Sequence, residues 1–115
     1  MKIPKQFILH CHVINVIEKE YDTEGTRYGY YDSVREEIVI FNKIKINGDI
    51  IELSQVQIEA SFMHELIHAI QWHSKGEFNE QEAQTYAELL LEFIKTSGVK
   101  IDFNVINESN EVYNE

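Results

Sequence analysis

The chain has 115 residues, 43% of them hydrophobic, and 20 acidic against 10 basic residues give a formal net charge of -10. That length suits one domain with a single core, and so acidic a balance repels phosphate backbones, which argues against nucleic-acid binding and for neutral or basic polypeptide partners. Cys11 is alone and so forms no internal disulfide, no stretch approaches the ~18 apolar residues of a membrane span, and the first apolar run is broken by His10 and His12 before any cleavage site; a soluble, cytoplasmic protein is expected.

The first half of the chain reads as strands. Residues 7–17 are rich in Ile, Val, Leu and Phe with partial alternation, which predicts a strand. On such a strand His10 and His12 share one face and Cys11 points to the other, so the trio reads as half-exposed strand rather than as a metal cluster. Asp22-Thr23-Glu24-Gly25 supplies a turn before a strand at 26–31, Asp32-Ser33 supplies another, and Glu37-Ile38-Val39-Ile40-Phe41 is a third strand. Residues 44–51 contain Asn47-Gly48 and form either a tight hairpin or an extended approach to the next element. The Tyr28-Gly29-Tyr30-Tyr31 cluster reads first as strand packing and only second as a source of a phenol near a reaction centre.

From about 54 to 74 the apolar residues Val56, Ala60, Met63, Leu66, Ile67 and Ile70 recur at intervals of three and four, the period of an amphipathic helix. Ser54 with Gln57 makes a capping box at its start, and Gly76 is placed to end it. Inside this helix stands His64-Glu65-Leu66-Ile67-His68. Positions i and i+4 share a helix face, so both imidazoles reach one cation while Glu65 stands beside it, as zinc-dependent hydrolysis requires. His73, five residues beyond His68, is rotated off that face and reads as a polar residue of the last turn; Trp72 reads as a core or partner contact.

A second helix is predicted over 79–96, with Ala83, Tyr86, Ala87, Leu90, Phe93 and Ile94 on one face. Catalytic zinc sites take three protein ligands and keep a fourth position open. The first turn of this helix offers Glu80 and Glu82, which flank its apolar face at similar angles. Asn79 is a good N-cap, and Glu82 can reach back to the N-cap N–H to complete a second capping box. That role for Glu82, and the small Ala83 that allows close approach of another helix, put Glu80 ahead as third ligand, with Glu82 the alternative.

His64-Glu65-Leu66-Ile67-His68 followed by Asn79-Glu80-Gln81-Glu82-Ala83 resembles the gluzincin clan of zinc peptidases, whose third ligand is a glutamate opening a downstream helix. Glu80-x-Glu82-Ala83-x-x-Tyr86-Ala87-x-x-Leu90-Leu91 is similar to the ImmA/IrrE-type metallopeptidases, although that family commonly has Asn or Asp where Gln84 stands and Phe where Tyr86 stands. The resemblance spans about residues 28–93. The short chain looks more like the minimal single-domain gluzincins, including small phage and mobile-element proteins.

The resemblance implies a zincin-like α+β fold, a small N-terminal sheet of three or more strands followed by the two zinc-bearing helices, in one domain over 1–106 with a disordered acidic tail at 107–115. It implies a zinc metalloendopeptidase whose substrate, a protein or peptide such as a regulatory protein, pairs with a sheet edge in the 28–41 region. His64, His68 and Glu80 hold Zn2+, which lowers the pKa of water towards about 7, and Glu65 is the general base and acid. The rival expectation is a non-catalytic, zinc-stabilised module that binds another protein. Val99, Ile101, Phe103 and Val105 alternate with polar residues as in a further strand.

Overall fold

A computed structural model describes residues 2–98. Its elements run β1 (Gln6–Leu9), β2 (His12–Lys19), β3 (Gly29–Asp32), β4 (Glu37–Phe41), β5 (Lys43–Ile46), β6 (Asp49–Glu52), α1 (Gln55–Lys75) and α2 (Glu80–Ser97). The fold is α+β, a sheet followed by two helices, as expected. The strand expected at 99–105 and the acidic tail at 107–115 lie outside the described residues.

Residues 7–17 are not one strand. The chain reverses at His10-Cys11, both at positive φ (47° and 68°), so that Leu9 pairs with His12 across a two-residue hairpin loop. No Gly, Asn or Pro announces this turn, which is why the apolar pattern reads straight through it.

The four-stranded sheet has the order β1-β2-β4-β3, with β2 and β4 parallel and the other pairs antiparallel. The chain therefore passes from β2 to the sheet edge, makes β3, and returns to insert β4 in the centre. Ile38, Val39, Ile40 and Phe41 are all buried, the continuous apolar run of a strand covered on both faces. The crossing segment is held by Asp22, 7% exposed, whose carboxylate accepts from the Glu24 and Arg27 backbone N–H groups and from the Arg27 guanidinium at 2.8 Å. Asn47 and Gly48, at φ 51° and 87°, close the β5–β6 hairpin, so the tight-turn alternative holds.

Ser54 caps α1 with the full capping box to Gln57, and Gly76 ends it in the left-handed conformation. The sheet face of α1 sets Ile58 and Phe62 among Phe7, Ile14, Ile38 and Ile40. Burying a side chain such as Phe62 contributes about 1.5–3 kcal/mol. The other side of α1 meets α2 through Met63, Ile67, Ala83 and Ala87, so α1 is the middle layer. The expected apolar face of α2 is only partly used: Ala83 and Ala87 are buried, whereas Tyr86, Leu90 and Phe93 are exposed, because the small alanines set the line of contact. Val56 and Ile70 of α1 are exposed as well. Among the described residues no helix is long and apolar enough to cross a membrane.

Candidate metal centre

His64 and His68 stand one turn apart on α1 with ring centroids 4.7 Å apart. Glu80, the first residue of α2, reaches both: its Oε1 lies 2.6 Å from His68 Nε2 and its Oε2 lies 3.2 Å from His64 Nε2. One ligand atom from each of the three residues falls within 4.8 Å of the others. Ala83, one turn along α2, is fully buried against α1 and permits this approach.

Glu82 is directed elsewhere. Its Oε1 accepts from Gln71 Nε2 at 2.9 Å and from Lys75 Nζ at 3.2 Å, and the Gln71 and Lys75 bonds hold its carboxyl below the usual range. The capping arrangement expected for it is half present: Asn79 Oδ1 accepts from the Glu82 N–H at 2.9 Å, but the Asn79 N–H donates to Gln71 Oε1 at 3.2 Å instead of to Glu82. A side chain from the preceding helix has displaced the local partner.

The hydrogen bonding around the two histidines leaves both Nε2 atoms turned to Glu80. His64 Nδ1 faces Gln84 Oε1 at 3.0 Å, and His68 Nδ1 faces Gln71 Oε1 at 2.9 Å, while both Nε2 atoms face Glu80. Gln84 donates its NH₂ to Glu88 at 2.6 Å, which keeps its oxygen towards His64. Four ring nitrogens thus face four oxygen acceptors, yet two neutral imidazoles carry only two N–H groups. Two added protons or one divalent cation would complete the set, and with the N–H groups on Nδ1 either would lie between the Nε2 atoms and Glu80. Two imidazole nitrogens and a carboxylate are the donor set of a catalytic zinc site, with a position left over, so the residues present fit the ion.

Glu65 is only 8% exposed. Burial pushes its carboxyl above the ordinary range, the neighbouring His64 and His68 pull it down, Glu80 pushes it up, and a hydrogen bond from the Tyr31 backbone pulls it down. The residue lies at the floor of a cleft of about 710 Å³, between β3, the edge strand, and the α2 wall that includes Gln84 and Glu88. Gly29 brings the strand close: a Cβ there would sit 2.8 Å from the Val39 carbonyl oxygen and 3.5 Å from Glu65 Cγ.

Other aromatic and histidine side chains nearby pair with one another across the fold. The Tyr31 phenol shares a hydrogen bond of 3.2 Å with His73 Nε2, and the His73 ring lies 4.9 Å from that of His12. His73 thus stands in the last turn of α1, as expected, and there also partners the sheet. Trp72 stacks on Phe78 at 5.4 Å, and Phe78 meets His68 edge-on at 5.4 Å. Gly29, Gln71 and His73 were not legible as site residues, because each acts through a tertiary contact; Gln71 alone carries a local cue, standing three residues after a histidine on the same helix.

Comparison with known protein families, with characterised proteins and with solved structures finds no match to this chain.

Proposed function

We propose that the protein is a zinc-dependent metallopeptidase of the gluzincin type, similar to the ImmA/IrrE-like enzymes, with His64, His68 and Glu80 as the ligands. The observation that carries this reading is the convergence of one ligand atom each from His64, His68 and Glu80 within 4.8 Å, beside the buried Glu65. Zinc, when bound, supplies a Lewis acid that polarises a carbonyl and makes water a nucleophile near pH 7.

The chain's own contribution is positioning and proton transfer. Gln84 and Gln71 accept from the Nδ1–H groups, which leaves the Nε2 lone pairs for the cation. Glu65 takes the proton of the attacking water on its carboxylate and returns it to the leaving amine, and its burial in the cleft beside the two histidines holds it for both transfers. The free edge of β3 offers backbone groups to an extended peptide along the cleft. A neutral or basic polypeptide suits the acidic surface, and a reducing, cytoplasmic setting suits the exposed thiol of Cys11.

A second reading is a zinc staple without catalysis, favoured by the division of the ligands between α1 and α2. Glu65 separates the two: a staple has no use for a buried carboxyl beside the ligands, whereas a peptidase requires one. The test is zinc content per chain in untagged protein together with cleavage of an unstructured polypeptide. We expect one zinc in the parent and in Glu65→Gln, little in His64→Ala, and cleavage by the parent alone, with a loss in Glu65→Gln of about 10²–10⁴ in rate. Low zinc in parent and His64→Ala alike, after zinc is supplied, overturns the metal site. Full activity in Glu65→Gln overturns the mechanism.

A further inference from the structure

We propose that Gln71 is a positioning residue that selects the metal-binding tautomer of His68 and, through the same amide, ties the cation site to the docking of α2. The proposal rests on the metal-site reading above and deepens it.

Gln71 is 2% exposed and makes four hydrogen bonds, the full complement of an amide. Its Oε1 accepts from His68 Nδ1–H at 2.9 Å and from the Asn79 N–H at 3.2 Å; its Nε2 donates to the Asn79 carbonyl at 3.0 Å and to Glu82 Oε1 at 2.9 Å. Three of these partners have only one possible role. A backbone N–H donates, and a carbonyl and a carboxylate accept, so the amide has one orientation. In that orientation an oxygen faces His68 Nδ1, the proton sits on Nδ1, and Nε2 is bare on the side of Glu80.

Asn79 is the N-cap of α2, and the residue that follows it is Glu80. The Gln71 amide therefore grips both polar groups of the peptide backbone from which one ligand projects, while it orients the ring of another. Gln84, the corresponding partner of His64, lies instead with Glu88 on the exposed cleft wall of α2. Among the described residues, Gln71 alone holds both a histidine of α1 and the backbone that leads into Glu80.

The same contacts explain an amide here rather than a carboxylate. The carboxylate introduced by Gln71→Glu would still accept from His68 and Asn79, but it would face the Glu82 carboxylate and the Asn79 carbonyl with nothing to donate. Exchanging donor and acceptor across the contact, in Gln71→Glu with Glu82→Gln, restores a donor opposite the new carboxylate.

The experiment measures the zinc dissociation constant by competition with a chromophoric chelator for the parent, His64→Ala, Gln71→Met, Gln71→Glu and the double variant Gln71→Glu/Glu82→Gln. Circular dichroism identifies which variants fold. We expect zinc binding to weaken about 10–100-fold in folded Gln71→Met, the range for loss of a group that orients a ligand. Gln71→Glu should be weaker than the parent, and the double variant should recover most of that loss. A role confined to helix packing would give a loss and recovery in zinc affinity no larger than those in the unfolding free energy of the zinc-free variants, and that outcome overturns the proposal. Folded Gln71→Met binding zinc within twofold of the parent overturns the proposal while leaving the metal site standing. If Gln71→Met fails to fold, a double variant that binds no better than Gln71→Glu overturns it. A parent that binds zinc no better than His64→Ala removes the metal site itself, and this proposal with it.

Discussion

Gly29 of the edge strand and Glu65 of α1 approach so closely that a β-carbon on Gly29 would lie 3.5 Å from the Glu65 Cγ and 2.8 Å from the Val39 carbonyl oxygen. The first distance is ordinary contact, while the second is one that a backbone oxygen cannot yield. Gly29→Ala should therefore shift β3 away from β4 and carry the Tyr31 backbone away from Glu65. We expect a loss of about 1–3 kcal/mol in stability by chemical denaturation, an unchanged zinc stoichiometry and a fall in peptide cleavage. Stability and cleavage equal to the parent would contradict the close-approach argument.

Acid should weaken the segment between β2 and β3. The Arg27 guanidinium, against the opposing effect of burial, and the Glu24 and Arg27 backbone N–H groups lower the Asp22 carboxyl from 3.8 to about 2. A carboxyl depressed in the folded state contributes stability that is present in full above its unfolded value and lost as pH falls through the folded one. The window is therefore from about 3.8 down to about 2. Because the Arg27 side chain is half exposed, solvent screens the pair and the contribution is on the order of 1–2 kcal/mol. Asp22→Asn should flatten this limb of a stability–pH curve measured by urea unfolding, with its loss of stability seen at neutral pH.

The core between sheet and helix should answer strongly to one substitution. Phe62 is 1% exposed and meets Phe7 edge-on with centroids 6.4 Å apart. Phe62→Ala leaves a cavity that the four strands cannot close, and we expect a cost of about 3–5 kcal/mol. Against a total of about 5–15 kcal/mol that is a large fraction, read as a fall in the denaturation midpoint.

Zinc should raise the melting temperature. A ligand that binds only the folded state at one hundred times its dissociation constant adds about 2.7 kcal/mol. His64 and His68 stand on α1 and Glu80 on α2, so this gain should appear as later melting of the helices by circular dichroism. Chelator should remove it in the parent and have no effect in His68→Ala.

The helices were legible because their signals are local. Ser54, Gln57 and Gly76 bound α1 by capping chemistry, and the spacing of His64 and His68 places them one turn apart on any helix. Glu80 was separable from Glu82 only by argument about what else Glu82 would do. In the fold Gln71 and Lys75, not the N-cap N–H, occupy Glu82, while Glu80 lies beside both histidines. The hairpin at His10-Cys11 was hidden because neither residue is a turn former. The parallel pairing of β2 with β4 was hidden because it is a matter of topology, with β3 made in between. The exposure of Tyr86, Leu90 and Phe93 follows from how near the two alanines draw the helices, which no single-helix periodicity records.

The edge strand meets Glu65 through the absence of a side chain at Gly29 and through the backbone of Tyr31. What is constrained there is the path of the main chain, whereas Tyr28, half exposed at the same edge, touches the cleft with its side chain. A substitution at Tyr28 can thus change the texture of one cleft wall while the main chain beside Glu65 keeps its path.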